Sequence, residues 1–378
     1  MKRIYLDNGA TTPLDKEVFT AMQPYFSEKY GNPSSIHSLG QEAADAVRKA
    51  RAVIAKSLNA KPEEIFFTSG GTEANNWALK GTMFANKGKH LIISAIEHDC
   101  VLNSAKWLEE QGYEVTTLNV DPKGFVKLDE LERSIRKDTV LVSVIHGNNE
   151  IGTIQDIDAI GKVCKKNKVL LHIDACQSFT KVPIDVSKTP VDMITINAHK
   201  IYGPKGVGAL YVRSGTKIST WQHGGGHEKG LRSGTENVSG IVGFAKAVEI
   251  DKKLDHIKQL QKYFWEQLQS VDNIRLNGAD IGPQRLVFNL NVTFRNLEGE
   301  ALLTLLDDAG VEVSTGSACS FLSLDDSHVL RAIGLNAIDA HGAIRFTLGK
   351  DTTKEDIDYT IEAVKKAVKK LRGFSLFR

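Results

Sequence analysis

Between about residues 43 and 213 the chain alternates short apolar runs with segments of helical periodicity, and this alternation limits the fold more than any other feature. Ile65–Thr68, His90–Ala95, Glu114–Val120, Val140–Ile145, Val169–Ile173, Met193–Ile196 and Gly208–Val212 read as strands. Ala43–Ala60, Cys100–Gln111 and Ile157–Lys166 read as helices, with further helices from about Thr72 and near Leu128–Ile135. Strands written as continuous apolar runs are buried on both faces. Helices between them carry the chain back across the sheet, so the pattern predicts an α/β fold with a mostly parallel sheet.

The alternation stops at His223–Gly234, which is polar and rich in glycine. One long helix is expected over roughly Glu236–Leu268, bridging to a second, smaller α/β unit. That unit would hold strands Leu286–Thr293, Val311–Ser314 and Ala343–Leu348 and helices Gly299–Asp308 and Lys354–Leu371.

Composition narrows the function classes. A chain of 378 residues has room for about two or three domains and needs no disulfide or metal staple. Lys and Arg total 48 against 46 Asp and Glu, a net charge of +2, which gives no electrostatic reason to expect nucleic acid or an anionic membrane as partner. No apolar run approaches the ~20 residues of a membrane span. Ile4, Tyr5 and Leu6 read as a strand, not as part of a signal peptide. The four cysteines, Cys100, Cys164, Cys176 and Cys319, form no C-x-x-C pair, which fits free thiols in a reducing cytoplasm. His223 and His227 in HGGGH find no third ligand, so no metal is expected.

In an open α/β sheet, ligands gather at the carboxyl ends of the strands, so the residues after each strand are the candidates. Ser69-Gly70-Gly71-Thr72 follows the first strand and opens a helix. It is either a plain turn with an N-cap or a cup in which backbone N–H groups and the helix dipole hold a phosphate. Asp174 follows Val169–Ile173, with Gln177 three residues on. A carboxylate there needs a partner, and a structural hydrogen bond would serve as well as a ligand. Lys200 follows Met193–Ile196 beside Gly203-Pro204-Lys205-Gly206 and, taken singly, reads as a solvated lysine. Together the three places offer a phosphate cup, an acid for a pyridinium proton and an amine for a Schiff base. Those are the handles that pyridoxal 5'-phosphate requires of a protein. Neither the dinucleotide G-x-G-x-x-G nor the P-loop pattern occurs.

Ordered motifs along nearly the whole chain carry a resemblance. They are Asp7–Thr12 (DNGATT), Gly31–Ser34 (GNPS), Ser69–Asn76 (SGGTEANN), Glu97-His98 and Asn148–Gly152 (NNEIG). Asp174–Gln177 (DACQ), His199–Gly206 (HKIYGPKG), His223–Asn237 (HGGGHEKGLRSGTEN), Gly316–Cys319 (GSAC) and Ile344–Gly349 (IRFTLG) follow. In these the chain resembles the cysteine desulfurases of the NifS/IscS branch, within the aspartate-aminotransferase-like superfamily.

The resemblance implies a fold-type-I transferase: a large domain over residues 14–255 with a seven-stranded, mostly parallel sheet. A small domain, residues 1–13 and 256–378, would carry a catalytic loop at about 316–327. It implies Lys200 as the Schiff-base lysine, Asp174 as partner of the pyridine nitrogen and His98 stacked on the ring. Gln177 and Asn149 would meet the ring oxygen side, and Asn149 the substrate as well. Gly71, Thr72, Asn197 and His199 would hold the phosphate, with Thr235 reaching the phosphate of the other subunit of a homodimer. Arg345 would clamp the substrate carboxylate; a surface ion pair is its plainer reading, as packing is for His98. Cys319, in a Gly- and Ser-rich stretch without periodicity, would receive the sulfur, while Cys100, Cys164 and Cys176 read as inert packing. The implied reaction turns L-cysteine into L-alanine, leaves a persulfide on Cys319 and passes sulfur to an acceptor protein, such as an iron–sulfur scaffold or a thiolation enzyme. A selenocysteine lyase and a silent cofactor-binding scaffold protein are the alternatives. Two positions depart from the family pattern: Asn197 stands where Ser or Thr is usual, and Gly71 where alanine is common.

Overall fold

The computed structural model describes residues 3–315 and 327–374. Its strands, in chain order, are β1 (Ile4–Tyr5), β2 (Ile65–Thr68), β3 (His90–Ser94), β4 (Glu114–Leu118), β5 (Thr139–Ile145) and β6 (Leu170–Asp174). They continue with β7 (Met193–Asn197), β8 (Gly208–Val212), β9 (Ile274–Leu276), β10 (Asn289–Phe294), β11 (Val311–Glu312) and β12 (Ala343–Thr347). The main sheet has seven strands in the order β2-β8-β7-β6-β5-β3-β4. Within it only β8 runs against its neighbours; the other pairings are parallel.

Side chains leave a strand alternately on opposite faces, and here both faces are covered. Val142, Val144, Ile173 and Ile194 join one core with helices Ser38–Ser57 and Val238–Glu249. Leu141, Leu91, Ile93 and Met193 join another with helix Asp99–Glu110. This double burial is why the strands carry so little polar alternation.

A third core gathers β1, β10, β12 and the helices Leu254–Leu268, Gly299–Asp308 and Lys354–Phe374. Here β12, β10 and β9 form an antiparallel sheet, and β1 pairs with β11 in parallel. The expected bridge over Glu236–Leu268 is two helices, Val238–Glu249 and Leu254–Leu268. The break has a local cause. Lys253 adopts a left-handed φ of 49°, and Asp251 accepts its N–H at 2.7 Å, a side-chain turn that competes with the helix. The ammonium of Lys252 caps the broken end by donating to the carbonyls of Val248 and Ile250 at 2.7 Å.

Buried polar side chains stitch the main sheet. His172 on β6 bonds Ser143 on β5 at 2.8 Å and Thr195 on β7 at 2.9 Å. His146 bonds Ser178 at 2.9 Å. Burial pushes both imidazoles down to about 4. In the unfolded chain they titrate near ~6.5. Between those values the unfolded state holds more protons, so their contribution to stability is complete above about 6.5 and is lost as pH falls toward 4. Denaturant midpoints measured across this window should fall with pH, and His172→Gln should make the decline shallower. An unchanged slope in that variant would remove His172 from the account.

Candidate active site

The carboxyl ends of β2, β3, β5, β6 and β7 point the same way, and most of the sequence-derived site residues follow or end these strands, while Arg345 comes from β12. Asp174 ends β6 and is 3% exposed. Its Oδ1 accepts from the Cys176 N–H at 2.9 Å, and its Oδ2 from Asn75 Nδ2 at 2.6 Å. Both partners are neutral, so the carboxylate is satisfied without being neutralised by them.

Lys200 follows β7 in a tight turn in which the N–H groups of Ile201 and Gly203 both bond the Ala198 carbonyl at 3.0 Å. Its ammonium donates to the Gly9 carbonyl at 2.8 Å, and Gln177 Nε2 donates to the same oxygen at 2.8 Å. The segment around Gly9 is a strap laid over the site. Thr12 bonds the His199 carbonyl through Oγ1 at 2.8 Å, and Thr347 Oγ1 on β12 accepts from the Gly9 N–H at 2.8 Å.

His98 caps helix Asp99–Glu110; its Nδ1 accepts from the Cys100 N–H at 3.2 Å and lies 3.1 Å from Cys100 Sγ. Burial holds its pKa down, with Asp174 opposing that and Lys200 adding to it, so it sees both groups. A neutral ring with Nδ1 accepting carries its proton on Nε2. His199 is pushed down to about 4, first by burial and then by the charge of Lys200; its Nδ1 lies 3.1 Å from Thr11 Oγ1.

Asn148 shapes the turn after β5. Its Oδ1 accepts from the N–H groups of Glu150 and Ile151 at 2.9 Å, and its Nδ2 donates to the Ile96 carbonyl at 2.9 Å. The turn sets Asn149 beside Arg345 of β12, whose Nη1 donates to the Asn149 carbonyl at 3.0 Å. The Arg345 Nη2 pairs with Asp7 Oδ1 at 2.8 Å, and the side chain is 3% exposed. It is therefore a buried pair, not the surface pair of its plainer reading.

Gly71 is wedged against Cys176. A Cβ there would lie 2.5 Å from Cys176 Sγ and 3.4 Å from Asn197 Nδ2. The thiol fills the space that an alanine at 71 would claim, which gives the departure at Gly71 a physical reason. Thr72 is the next residue of the same helix. Thr235 is exposed and lines a cleft with Thr68, Ser69, Gly206 and Asn237. Cys319 lies outside the described residues.

The buried oxygens Asn149 Oδ1, Gln177 Oε1 and Asn197 Oδ1 and the Arg345 Nε have no hydrogen-bond partner among the described residues. Buried polar atoms normally have one. Four such atoms around one amine and one carboxylate fit a small polar cofactor together with an amino-acid substrate. Gln177 is oriented for this: with Nε2 committed to Gly9, its Oε1 can only accept.

Several members of the site have no role in the sequence reading, although they stand in its motifs: Asn75, Asp7 and Glu97. Glu97 is fully buried, accepts from Ser94 Oγ and from the Ile145 N–H, and is pushed up to about 8 by burial. Burial, reinforced by Asp174, also pushes Cys100 up to about 12 and raises Cys176 well above the usual thiol range. Cys164, away from this edge, is likewise pushed up to about 12 by burial.

Comparison with known proteins agrees with this geometry. The family model for class-V aminotransferases matches residues 4–360. The cysteine desulfurase IscS of Dictyoglomus turgidum is 50% identical over 387 aligned residues, covering 100% of this chain and 98% of the relative. Among solved structures, a NifS-like protein superposes with a TM-score of 0.91 at 41% identity, covering 98% of this chain and 100% of the other. SspA, solved in complex with cysteine, superposes with a TM-score of 0.84 at 38% identity, covering 93% of this chain and 100% of its own. From the strand-end constellation and a match that spans nearly every residue, the chain belongs to the class-V aminotransferase family.

Proposed function

We infer that Lys200, Asp174, Arg345 and Cys319 are the working residues of a cysteine desulfurase. The activity itself follows from relatives of that name at 45–50% identity over the full chain: a pyridoxal-phosphate-dependent enzyme that takes sulfur from L-cysteine. The observation that carries the residue assignment is the meeting of the Lys200 amine, Gln177 and the strap at the Gly9 carbonyl, on the edge that also presents Asp174.

Lys200 would hold the cofactor, Asp174 would face its ring nitrogen and His98 its ring. Gln177 and Asn149 would take its oxygen side, and Gly71, Thr72, Asn197 and His199 its phosphate. Bound there, pyridoxal phosphate supplies an electron sink for the pair left when a proton leaves the carbon that bears the amine. The Nζ of Lys200 would take that proton and return it. Arg345 orients the substrate carboxylate, and Asn149 is placed to touch the same end. The Cys319 thiolate attacks the substrate sulfur; the S–S bond forms, the C–S pair stays on carbon and is protonated, and the carbon skeleton leaves as L-alanine. The thiols of Cys100, Cys164 and Cys176 support this choice, because burial keeps all three protonated.

The persulfide would pass to an acceptor protein, an iron–sulfur scaffold or a thiolation enzyme. The division into a cofactor domain over residues 14–255 and a second over 1–13 and 256–378 is supported by the separate core of Ile4, Leu6 and the segments 257–311 and 344–368, although Val329, Leu330 and Ile333 pack into the core of the main sheet. A homodimer is supported by large apolar side chains exposed along one N-terminal stretch, namely Phe19, Phe26, Tyr30 and Ile36. Thr235, exposed beside the same cleft as Ser69, would then serve the partner's phosphate. No helix among the described residues is long and apolar enough to cross a membrane.

Three substitutions test the residues. Lys200→Ala removes both the anchor and the acid–base group, worth roughly 10²–10⁴-fold on its own; alanine release from L-cysteine should be lost, and turnover within tenfold of the parent would exclude the role. Arg345→Ala removes a hydrogen-bonding charge worth roughly 1.5–3 kcal/mol, so KM for L-cysteine should rise about one to two decades while binding of cysteamine, which lacks the carboxylate, changes little. An equal loss for both ligands would point to Arg345 as a structural partner of Asp7 alone. Cys319→Ser should keep fold and cofactor content yet release no alanine, and mass mapping of the parent should place the persulfide on Cys319. A persulfide on Cys100, Cys164 or Cys176 would overturn the route.

A further inference from the structure

Asp174 is gripped by a side chain from a different part of the chain. Asn75 lies on the helix Gly71–Asn76 and is 1% exposed. Its Nδ2 donates to Asp174 Oδ2 at 2.6 Å and lies 3.1 Å from Cys100 Sγ. Its orientation is set by chemistry, because turning the amide over would press two oxygens together at 2.6 Å with no proton between them. Both N–H groups of the amide are thus used, while its Oδ1 is left without a partner among the described residues. An unpaired buried acceptor is a cost to folding, so the donor end accounts for the residue.

We propose that Asn75 is the positioning residue for the cofactor's ring-nitrogen partner: its amide fixes the plane of the Asp174 carboxylate and leaves that carboxylate its full charge. The inference rests on the reading of Asp174 as that partner. A lysine or arginine in the same place would hold the carboxylate as firmly, but would compete with a pyridinium for its charge. A neutral amide holds it and does not compete. With the Cys176 N–H on Oδ1 and Asn75 on Oδ2, each oxygen keeps a lone pair for the ring nitrogen. The second N–H of the amide extends the arrangement to the ring face, since Cys100 Sγ lies 3.1 Å from His98 Nδ1. One amide therefore ties the acid assigned to the ring nitrogen to the imidazole assigned to the ring face. The titratable groups around Asp174 are Glu97, His98, Cys100, His172, Cys176 and Lys200.

The test is the affinity of the cofactor-stripped protein for pyridoxal 5'-phosphate, read by absorbance titration, together with thermal unfolding of the same samples. Asn75→Leu keeps the size and removes the donor; it should unfold at the parent's temperature within a few degrees and bind the cofactor about tenfold more weakly or worse. In Asn75→Asp the introduced carboxylate can bond Asp174 only while holding a proton, so cofactor affinity should weaken as pH rises from about 6 to 9 more steeply than in the parent. A residue that served folding alone would not place a new titration on cofactor binding. Asn75→Leu that folds and binds within twofold of the parent, or Asn75→Asp with the parent's pH profile, overturns the proposal; should the leucine variant not fold, the aspartate variant decides. Asp174→Asn is measured alongside. If it binds weakly while Asn75→Leu binds normally, the proposal for Asn75 fails and the reading of Asp174 stands. If it too binds normally, the reading of Asp174 itself fails.

Discussion

Gly9 contributes one carbonyl oxygen on which the arrangement of the site depends. Lys200 and Gln177 reach it from the loops after β7 and β6, and its own N–H is bonded to Thr347 of β12. The strand ends of the main sheet and the antiparallel sheet of the third core are thereby referred to the same short strap. Asp7 and Thr12, on either side of Gly9, bond Arg345 and the His199 carbonyl. Without the strap, the ammonium of Lys200 and the guanidinium of Arg345 would each lose a part-buried hydrogen bond, and hydrogen bonds to charged groups are the expensive ones to leave unmade.

The site is buried enough that solvation selects which groups can react. Burial pushes the thiols of Cys100 and Cys176 up, the imidazoles of His98 and His199 down, and Glu97 up to about 8. Asp174 accepts two hydrogen bonds from neutral donors, the Asn75 amide and the Cys176 N–H. Burial thus moves the thiols, the imidazoles and Glu97 at this edge toward their uncharged forms.

Much of this was legible in the sequence for reasons that can be named. The strands of the main sheet announce themselves because both of their faces are covered, so Val140–Ile145 contains no polar interruption beyond Ser143, which bonds His172. Lys200 and Asp174 are found by the rule that ligands meet strand ends. The bridge helix was overextended because Asp251–Lys253 breaks it through a side-chain turn, a local event that apolar periodicity does not record. β9 escaped because its three residues are each only partly buried and show no clear alternation. Asn75 and Asp7 could not be given roles from sequence, since their partners Asp174 and Arg345 are 99 and 338 residues away along the chain.

The close approach of Gly71 to Cys176 makes those two positions one unit of shape. The floor between helix Gly71–Asn76 and the turn after β6 has room for a single heavy atom beyond the backbone: here a sulfur from one side, where an alanine would supply a carbon from the other. Substitutions at these positions are therefore coupled in sign. Alanine at 71 is a clash with the cysteine present and a compatible filling once residue 176 is made smaller, whereas shrinking 176 with glycine kept at 71 opens a void. A mutational map of this protein that varies one residue at a time would score both positions as intolerant, though the constraint belongs to their sum.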